Sequence, residues 1–589
     1  MPPTDATTHT LRILARDPTV RDGAKLLVAD VAVPAEKLYD GPWGHRVQVI
    51  DYDASTGALL KPLKYATDAK GRIIDPFAKV AASDRLARNP LFHQQNVYAI
   101  VMRTLAQFER VLGRRVGWGF PSHQIKVVPH AFEDANAFYS EYDRGLFFGY
   151  FSGPEGRVFT CLSHDIVVHE TTHAVLDGLR ERFTDPSSDD QAAFHEGFAD
   201  VVALLSIFQL PESIRHLMSQ APGTSAKRLV PRRFLEDETF VRNVLFSMAK
   251  ELGSALSGIP GRALRASYST TPDPAAYRSS PEWREAHRRG ELLVGAMLRA
   301  FVKVWQARLV PLGVGGSGDL DRERVIEEGA SAAEHLLNIA IRGLDYTPPV
   351  HLTFRDYLSA ILTADREIQP DDRKYGYRRI LRESFAEWGI TPAATPPDED
   401  RGEVEALEPG LWCPLDATRL HYEGVRHEAM RRDPDEVFKF LWQNHELLQL
   451  RPDAFSEVLS VRPCRRIAPD GAMLNQTVAE MRQILGLNAS ELKGTKLAEF
   501  QPAEPEGDRA EERPADKPLE LTGGGTFIFD DFGVLKYHIH NKVDNMVLQR
   551  ERLLSMRTSP MAAVPASRRF AELHRMRSAG ANLATADWW

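Results

Sequence analysis

Apolar and polar positions alternate through the first part of the chain. The runs Lys25-Leu-Leu-Val-Ala-Asp-Val-Ala-Val33 and Arg46-Val-Gln-Val-Ile-Asp-Tyr52 are separated by turn signals such as Asp53-Ala-Ser-Thr-Gly57. This pattern predicts a β-rich section to about residue 80. From Asn89-Pro90 the period lengthens. Residues 92–112 carry apolar side chains at helical spacing and stop near Gly113, which predicts one long helix. A strand over 124–129 and a segment Asp134-Ala-Asn-Ala-Phe-Tyr139 follow. After a turn at Asp143-Arg-Gly145, an aromatic strand begins at Leu146. Further on the pattern is mostly helical, over 240–256, 290–309, 320–341, 353–368 and 377–388. Residues 392–409 are rich in Pro, Asp and Glu and read as a linker. Beyond it the sequence predicts a helix over 436–450, a strand over 456–467, a disordered segment near 502–519 and a hairpin over 523–540 turning at Asp530-Asp531.

The fold class that follows is α+β. A β-rich lobe covers 1–175, a mainly helical lobe 176–392, a linker 393–410 and an accessory α+β domain 411–589. The linker suggests that residues 1–395 fold without the rest.

Two of the predicted buried helices carry chemistry. The first contains His169-Glu170-Thr171-Thr172-His173 with no Gly or Pro up to Asp177. Positions four apart share a helix face, so both imidazoles point one way and form half of a tetrahedral zinc site. Glu170 can then reach a water on the metal without ligating the metal itself. The alternative is a structural helix with two hydrogen-bonded histidines. The second helix, Asp189-Asp190-Gln-Ala-Ala-Phe-His-Glu196-Gly-Phe-Ala-Asp200, has Ser188 or Asp189 as N-cap and places Glu196 and Asp200 on one face. Glu196 would complete a two-histidine, one-glutamate set. Asp200 would accept a hydrogen bond from the far nitrogen of one ligand histidine. The alternative there is a helical Glu and a salt-bridged Asp.

His-Glu-x-x-His followed by Glu-x-x-x-Asp resembles the thermolysin-like family of zinc metallopeptidases, the gluzincins. Asp165 also matches that family's first helix, whereas Leu176 and Leu179 stand where metzincins need Gly and His. The resemblance spans roughly residues 10 to 390 and implies a two-lobed fold, a peptide or protein substrate and zinc as cofactor. It implies that Asn136 and the Ala137 backbone hold the substrate main chain on an edge strand. It also implies that His287 hydrogen-bonds the developing oxyanion, with Glu282 or Glu285 orienting it. The pattern departs from the family in three places. The span from His173 to Glu196 is slightly enlarged. It contains no Tyr to serve as a second oxyanion donor, for which Tyr150 or Tyr277 are the substitutes to consider. Ile207 stands where a calcium-binding Glu would fall, so calcium is doubtful despite Asp165.

Charge and composition narrow the function further. A formal net charge of -8 gives no basic field, so nucleic acid is not an expected partner. Three cysteines, Cys161, Cys413 and Cys464, are too few and too scattered for a disulfide framework and fit a reducing compartment. Cys161 reads as a small buried apolar residue. His538 and His540 share a strand face without carboxylate or Cys partners and read as a solvated pair. No apolar run reaches the length of a membrane span, and the first residues lack the basic and apolar regions of a secretory signal. A cytoplasmic location is the expectation, with export by another route left open. Together these features predict a zinc endopeptidase. The rival is a catalytically weak zinc-containing peptide-binding or scaffold protein on the same fold, favoured by the missing Tyr and the missing secretory signal and opposed by Glu170.

Overall fold

A computed structural model describes residues 7–69, 71–153, 156–180, 187–220, 228–231, 272–312, 319–393, 408–467, 473–500 and 518–559, with Phe183, Asp185, Gly471, Val564, Pro565, Arg568, Arg569 and Glu572 standing singly between or beyond these stretches. The architecture is mixed α+β. Strands β1 (Thr8–Leu14) and β2 (Val28–Pro34) pair antiparallel along their whole length and turn alternate side chains inward. After the short β3 (Val47–Val49) comes α1 (Pro90–Leu112), which starts two residues before the predicted 92 and ends where predicted. The Asn89 side chain accepts from Leu91 N, and Pro90 sits where a missing N–H costs nothing. Gly113 stops the helix in the left-handed conformation at φ 69°.

Helix α1 packs beneath the strands of the β-rich part. Strands β4 (Ile125–Glu133), β5 (Ala137–Ser140), β6 (Gly145–Gly153) and β7 (Gly156–Phe159) join β3 in a five-stranded sheet. The order is β5-β6-β4-β3, with β7 also paired to β6. Strand β4 is parallel to β3 and β6, and β5 is antiparallel to β6. The strand predicted to bind substrate therefore lies at the end of the sheet order.

The helical part holds α2 (His164–Leu179), α3 (Asp189–Phe208), α4 (Ala286–Leu309), α5 (Arg322–Gly343), α6 (Phe354–Ile368) and α7 (Tyr377–Glu387). Caps account for most of their starts. Ser188 accepts from Gln191 N, Glu285 from His287 N and Arg288 N, and Asp321 from Glu323 N and Arg324 N. Thr353 and Asp356 form a reciprocal capping box. Glu285 is why α4 begins at Ala286 rather than 290. One hydrophobic core runs from Leu11 to Leu411 and unites strands and helices. The helix predicted over 240–256 and most of the predicted linker lie outside the described residues.

The accessory part is a four-stranded antiparallel sheet in sequence order, β8 (Phe455–Ile467), β9 (Met473–Leu487), β10 (Leu519–Phe529) and β11 (Leu535–Asn541), flanked by α8 (Pro434–Gln443) and α9 (Met546–Thr558). The hairpin predicted over 523–540 is β10-β11. Leu519 already pairs with Leu487, so the ordered sheet begins inside the segment expected to be disordered. Helix α8 ends at Gln443 rather than 450 because the Asn444 amide donates to the Phe440 and His421 carbonyls, drawing the chain out of helical register.

The middle strands β9 and β10 are buried on both faces over much of their length. Ala479, Met481, Phe527 and Phe529 pack with Phe440 and Leu441 of α8. On the opposite face Val478, Ile528 and Tyr537 pack with Tyr346, Ala360 and Ala364 of the helical part. A buried charge cluster reinforces that contact. Arg114 chelates Asp345 at 2.6 and 2.7 Å, and Arg466 of β8 contacts the same carboxylate. Burial alone would raise the Asp345 carboxyl, but the guanidiniums of Arg114 and Arg466 outweigh it and hold it well below the usual carboxylate range. A folded value below the unfolded one means the contribution is complete above the ordinary Asp value of 3.8 and drains away as the pH falls below it. Asp345→Asn is therefore expected to lower stability at pH 7 by about 3–5 kcal/mol, the cost of breaking a buried pair from one side. Urea unfolding of both proteins at pH 7 and below pH 3 checks this, since the gap must shrink in acid. An equal gap at both pH values would remove the charge from the explanation. The same contacts set the cost of the 1–395 fragment, which would expose one apolar face and leave Asp345 without Arg466.

Candidate metal centre

Helices α2 and α3 are buried almost throughout and pack against one another. The four-residue spacing on α2 turns His169 and His173 the same way, with their Nε2 atoms 2.9 Å apart. Glu196 comes across from α3, its Oε2 at 3.5 Å from His169 Nε2 and its Oε1 at 3.6 Å from His173 Nε2. One ligand atom from each residue lies within 4.8 Å of the others, and all three residues are buried. This is a buried cluster able to hold a metal ion.

The far nitrogens of the two imidazoles are also engaged. His169 Nδ1 donates to Asp200 Oδ1 at 2.8 Å, where the sequence places it. His173 Nδ1 lies 3.2 Å from His195 Nδ1. With Nε2 of His173 turned to a metal, its Nδ1–H donates to His195, so each ligand ring has a partner that fixes its tautomer. Burial drives the His195 imidazole down to about 3 against the pull of Glu196, which keeps it neutral and able to accept. Burial also opposes charge on His169, yet Asp200, Glu196 and Glu170 together raise its proton affinity well above the ordinary imidazole range. The carboxylates favour a cation at this point.

Glu170 is fully buried, and its Oε2 accepts from the Tyr139 backbone N–H at 3.0 Å. Strand β5 therefore touches the group that the sequence assigns as base. Asn136 and Ala137 are at the start of the same strand and are buried. Asn136 Oδ1 accepts from Ala137 N at 2.9 Å, and Asn136 O accepts from Gly149 N at 2.8 Å.

His287 opens α4. Its Nε2 lies 3.3 Å from Glu196 Oε2, and its Nδ1 lies 2.7 Å from Glu285 Oε1. Of the two carboxylates the sequence offers as its orienting partner, Glu285 is the one in contact. Burial works against the Glu285 charge, but hydrogen bonds from the His287 ring and from the His287 and Arg288 backbones lower it to about 2. What brings His287 to Glu196 is a helix crossing at two glycines. A Cβ on Gly197 would stand 2.9 Å from Gly290 O, and one on Gly290 would stand 3.0 Å from Gly197 N.

Other residues weighed in the sequence lie elsewhere. Tyr150 donates its hydroxyl to Asp53 Oδ2 at 2.7 Å, and the Tyr277 ring packs between Trp283 and Trp388. Asp165 accepts from Ser163 Oγ at 2.6 Å. His538 stacks on His540 with ring centroids 4.2 Å apart and on Phe527 at 4.5 Å, so this pair is packed rather than solvated. Among the described residues no single helix is long and apolar enough to cross a membrane. His195 was not legible as part of the site, because adjacency to Glu196 in sequence says nothing of the helix opposite. No protein-family model matches the chain, and no curated protein is significantly similar to it.

Proposed function

We propose that this chain is a zinc-dependent endopeptidase of the thermolysin-like kind. The observation that carries the reading is the convergence of His169, His173 and Glu196 beside Glu170, itself bonded to an edge strand. A bound zinc ion would supply Lewis acidity toward the scissile carbonyl and activate the attacking water. Glu170 takes a proton from that water and returns it to the leaving amine. The Tyr139 amide holds the Glu170 carboxylate in place while it does so. Strand β5, at the end of the sheet order, would receive an extended peptide by main-chain pairing, which suits a protease of broad sequence tolerance. His287, whose Nδ1 is held by Glu285, can donate from Nε2 to the developing oxyanion in its doubly protonated form. Hydrolysis of an unstructured peptide library, abolished by chelator and restored by zinc, tests the activity.

One observation favours the rival, a metal-containing binding protein. His287 Nε2 lies 3.3 Å from Glu196 but outside the His169–His173–Glu196 cluster, so it would have to move inward to become a fourth ligand, and sites filled by four protein ligands are structural rather than catalytic. His287→Ala separates the readings. A donor to the oxyanion predicts turnover lowered about 10²–10³-fold with zinc content unchanged. A fourth ligand predicts loss of zinc affinity instead.

A further inference from the structure

A second cluster lies in the β-rich part, away from the catalytic helices' ligands. His93 of α1, His130 of β4 and Cys161 of the single turn Thr160–Leu162 are all buried. One ligand atom from each lies within 4.8 Å of the others. The sequence reads Cys161 as a small apolar residue. Its burial agrees with that reading, but its neighbours do not.

Counting protons shows what the two imidazoles offer. His93 Nε2 lies 2.7 Å from the Ala87 carbonyl, which only accepts, so that nitrogen carries the hydrogen. His130 Nδ1 lies 2.7 Å from Asp51 Oδ1, and Gln94 donates to the other carboxylate oxygen at 2.8 Å. That nitrogen too carries its hydrogen. When both imidazoles are neutral each has one N–H, and His93 Nδ1 and His130 Nε2 then each present a lone pair. These two nitrogens face one another at 2.7 Å. Facing lone pairs repel unless a cation lies between or beside them. The His169–His173 pair has the same construction, with far nitrogens held by Asp200 and His195 and near nitrogens 2.9 Å apart. An acceptor on the far nitrogen of a ligand histidine is the usual support of a metal site.

We infer that His93 Nδ1, His130 Nε2 and Cys161 Sγ form a second zinc site. Thiolate with imidazole selects zinc over magnesium or calcium. Tetrahedral ligation at ~2.0–2.1 Å sets two nitrogens about 3.4 Å apart, so the rings need only part by less than an ångström. Burial holds the His93 imidazole down to about 3, the neutral form that binds metal. Burial also pushes the Cys161 thiol up, so zinc loading must displace its proton. Phe159 packs edge-on against both rings, at 4.8 and 5.3 Å, and closes the site on that side. The ion would join α1, β4 and the turn leading directly into α2, and so fix the start of the helix that bears His169. This inference does not rest on the peptidase reading.

The test uses the full chain, stripped by chelator and reloaded with zinc or with cobalt as its spectroscopic substitute. Two zinc ions per chain are expected, and the cobalt form should show a near-ultraviolet thiolate-to-cobalt charge-transfer band. Cys161→Ser should abolish the band and leave one ion. Glu196→Ala should also leave one ion but retain the band, which separates this site from the first. Cys413→Ser and Cys464→Ser should change neither. A wild-type chain that lacks the band at saturating cobalt overturns the inference without reference to any variant. So does a band that survives Cys161→Ser. A wild-type chain binding one zinc and lacking the band would mean that the histidine pair shares a proton instead.

Discussion

Glu170→Gln is expected to fold normally, keep its zinc and bind peptides, yet hydrolyse them about 10²–10⁴-fold more slowly. The substitution preserves shape, and the new amide oxygen can still accept from the Tyr139 N–H that Glu170 now engages at 3.0 Å. What it removes is the ability to take a proton. Its neighbour His169 is expected to keep its place in the cluster, because its orientation depends on helix spacing and on Asp200, not on residue 170. Zinc by atomic absorption, measured beside single-turnover cleavage, decides the matter. Loss of zinc would mean that Glu170 belongs to the ligand set. Full cleavage with zinc retained would mean that some other group is the base. A wild type that cleaves no peptide hands the argument to the binding-protein reading.

Glu196→Ala is expected to act quite differently, removing metal from this cluster, activity and stability together. Glu196 sits within 3.6 Å of both imidazoles of the cluster, so its loss would take away one of the three proposed ligands. A metal that binds only the folded chain stabilises it by about 4 kcal/mol at a thousandfold excess over its dissociation constant. The variant should therefore unfold at lower temperature than the parent in zinc, and the gap should narrow when chelator is added to both. The zinc content should fall by one ion per chain whether or not the Cys161 cluster also binds. A gap unaffected by chelator would show that Glu196 stabilises by packing alone.

The sequence showed what is periodic and local. Helix α1 was legible from its apolar spacing, its Asn89-Pro90 start and its Gly113 stop, because these act within one or two turns. His169, His173, Glu196 and Asp200 were legible because each pair is four apart on one helix. The structure brings both pairs together, along with Glu170. What escaped depends on contacts between elements. His195 matters only through His173 on the facing helix. His93, His130 and Cys161 share no spacing rule, since a helix, a strand and a turn distant in sequence meet only after folding. The docking of the accessory sheet was hidden for the same reason. The hairpin over 523–540 was legible as strand and turn, but the covering of Tyr346 and Ala360 by one face of its sheet was not.

The glycines at the α3–α4 crossing bear on how this sequence can change with time. Gly197 follows Glu196 directly, and Gly290 lies one turn beyond His287, so the crossing sets the distance between those two side chains. At both positions the nearest atom an added Cβ would meet is main chain of the opposite helix, Gly290 O in one case and Gly197 N in the other. Side chains can be repacked around an intruding methyl, but a helical backbone cannot yield without moving the whole helix. No second substitution on the facing helix can therefore compensate for a first. Drift elsewhere in these helices is open to paired, mutually correcting changes. These two positions are closed to it, and lineages that retain the His287–Glu196 contact are expected to retain both glycines however far the rest of the chain diverges.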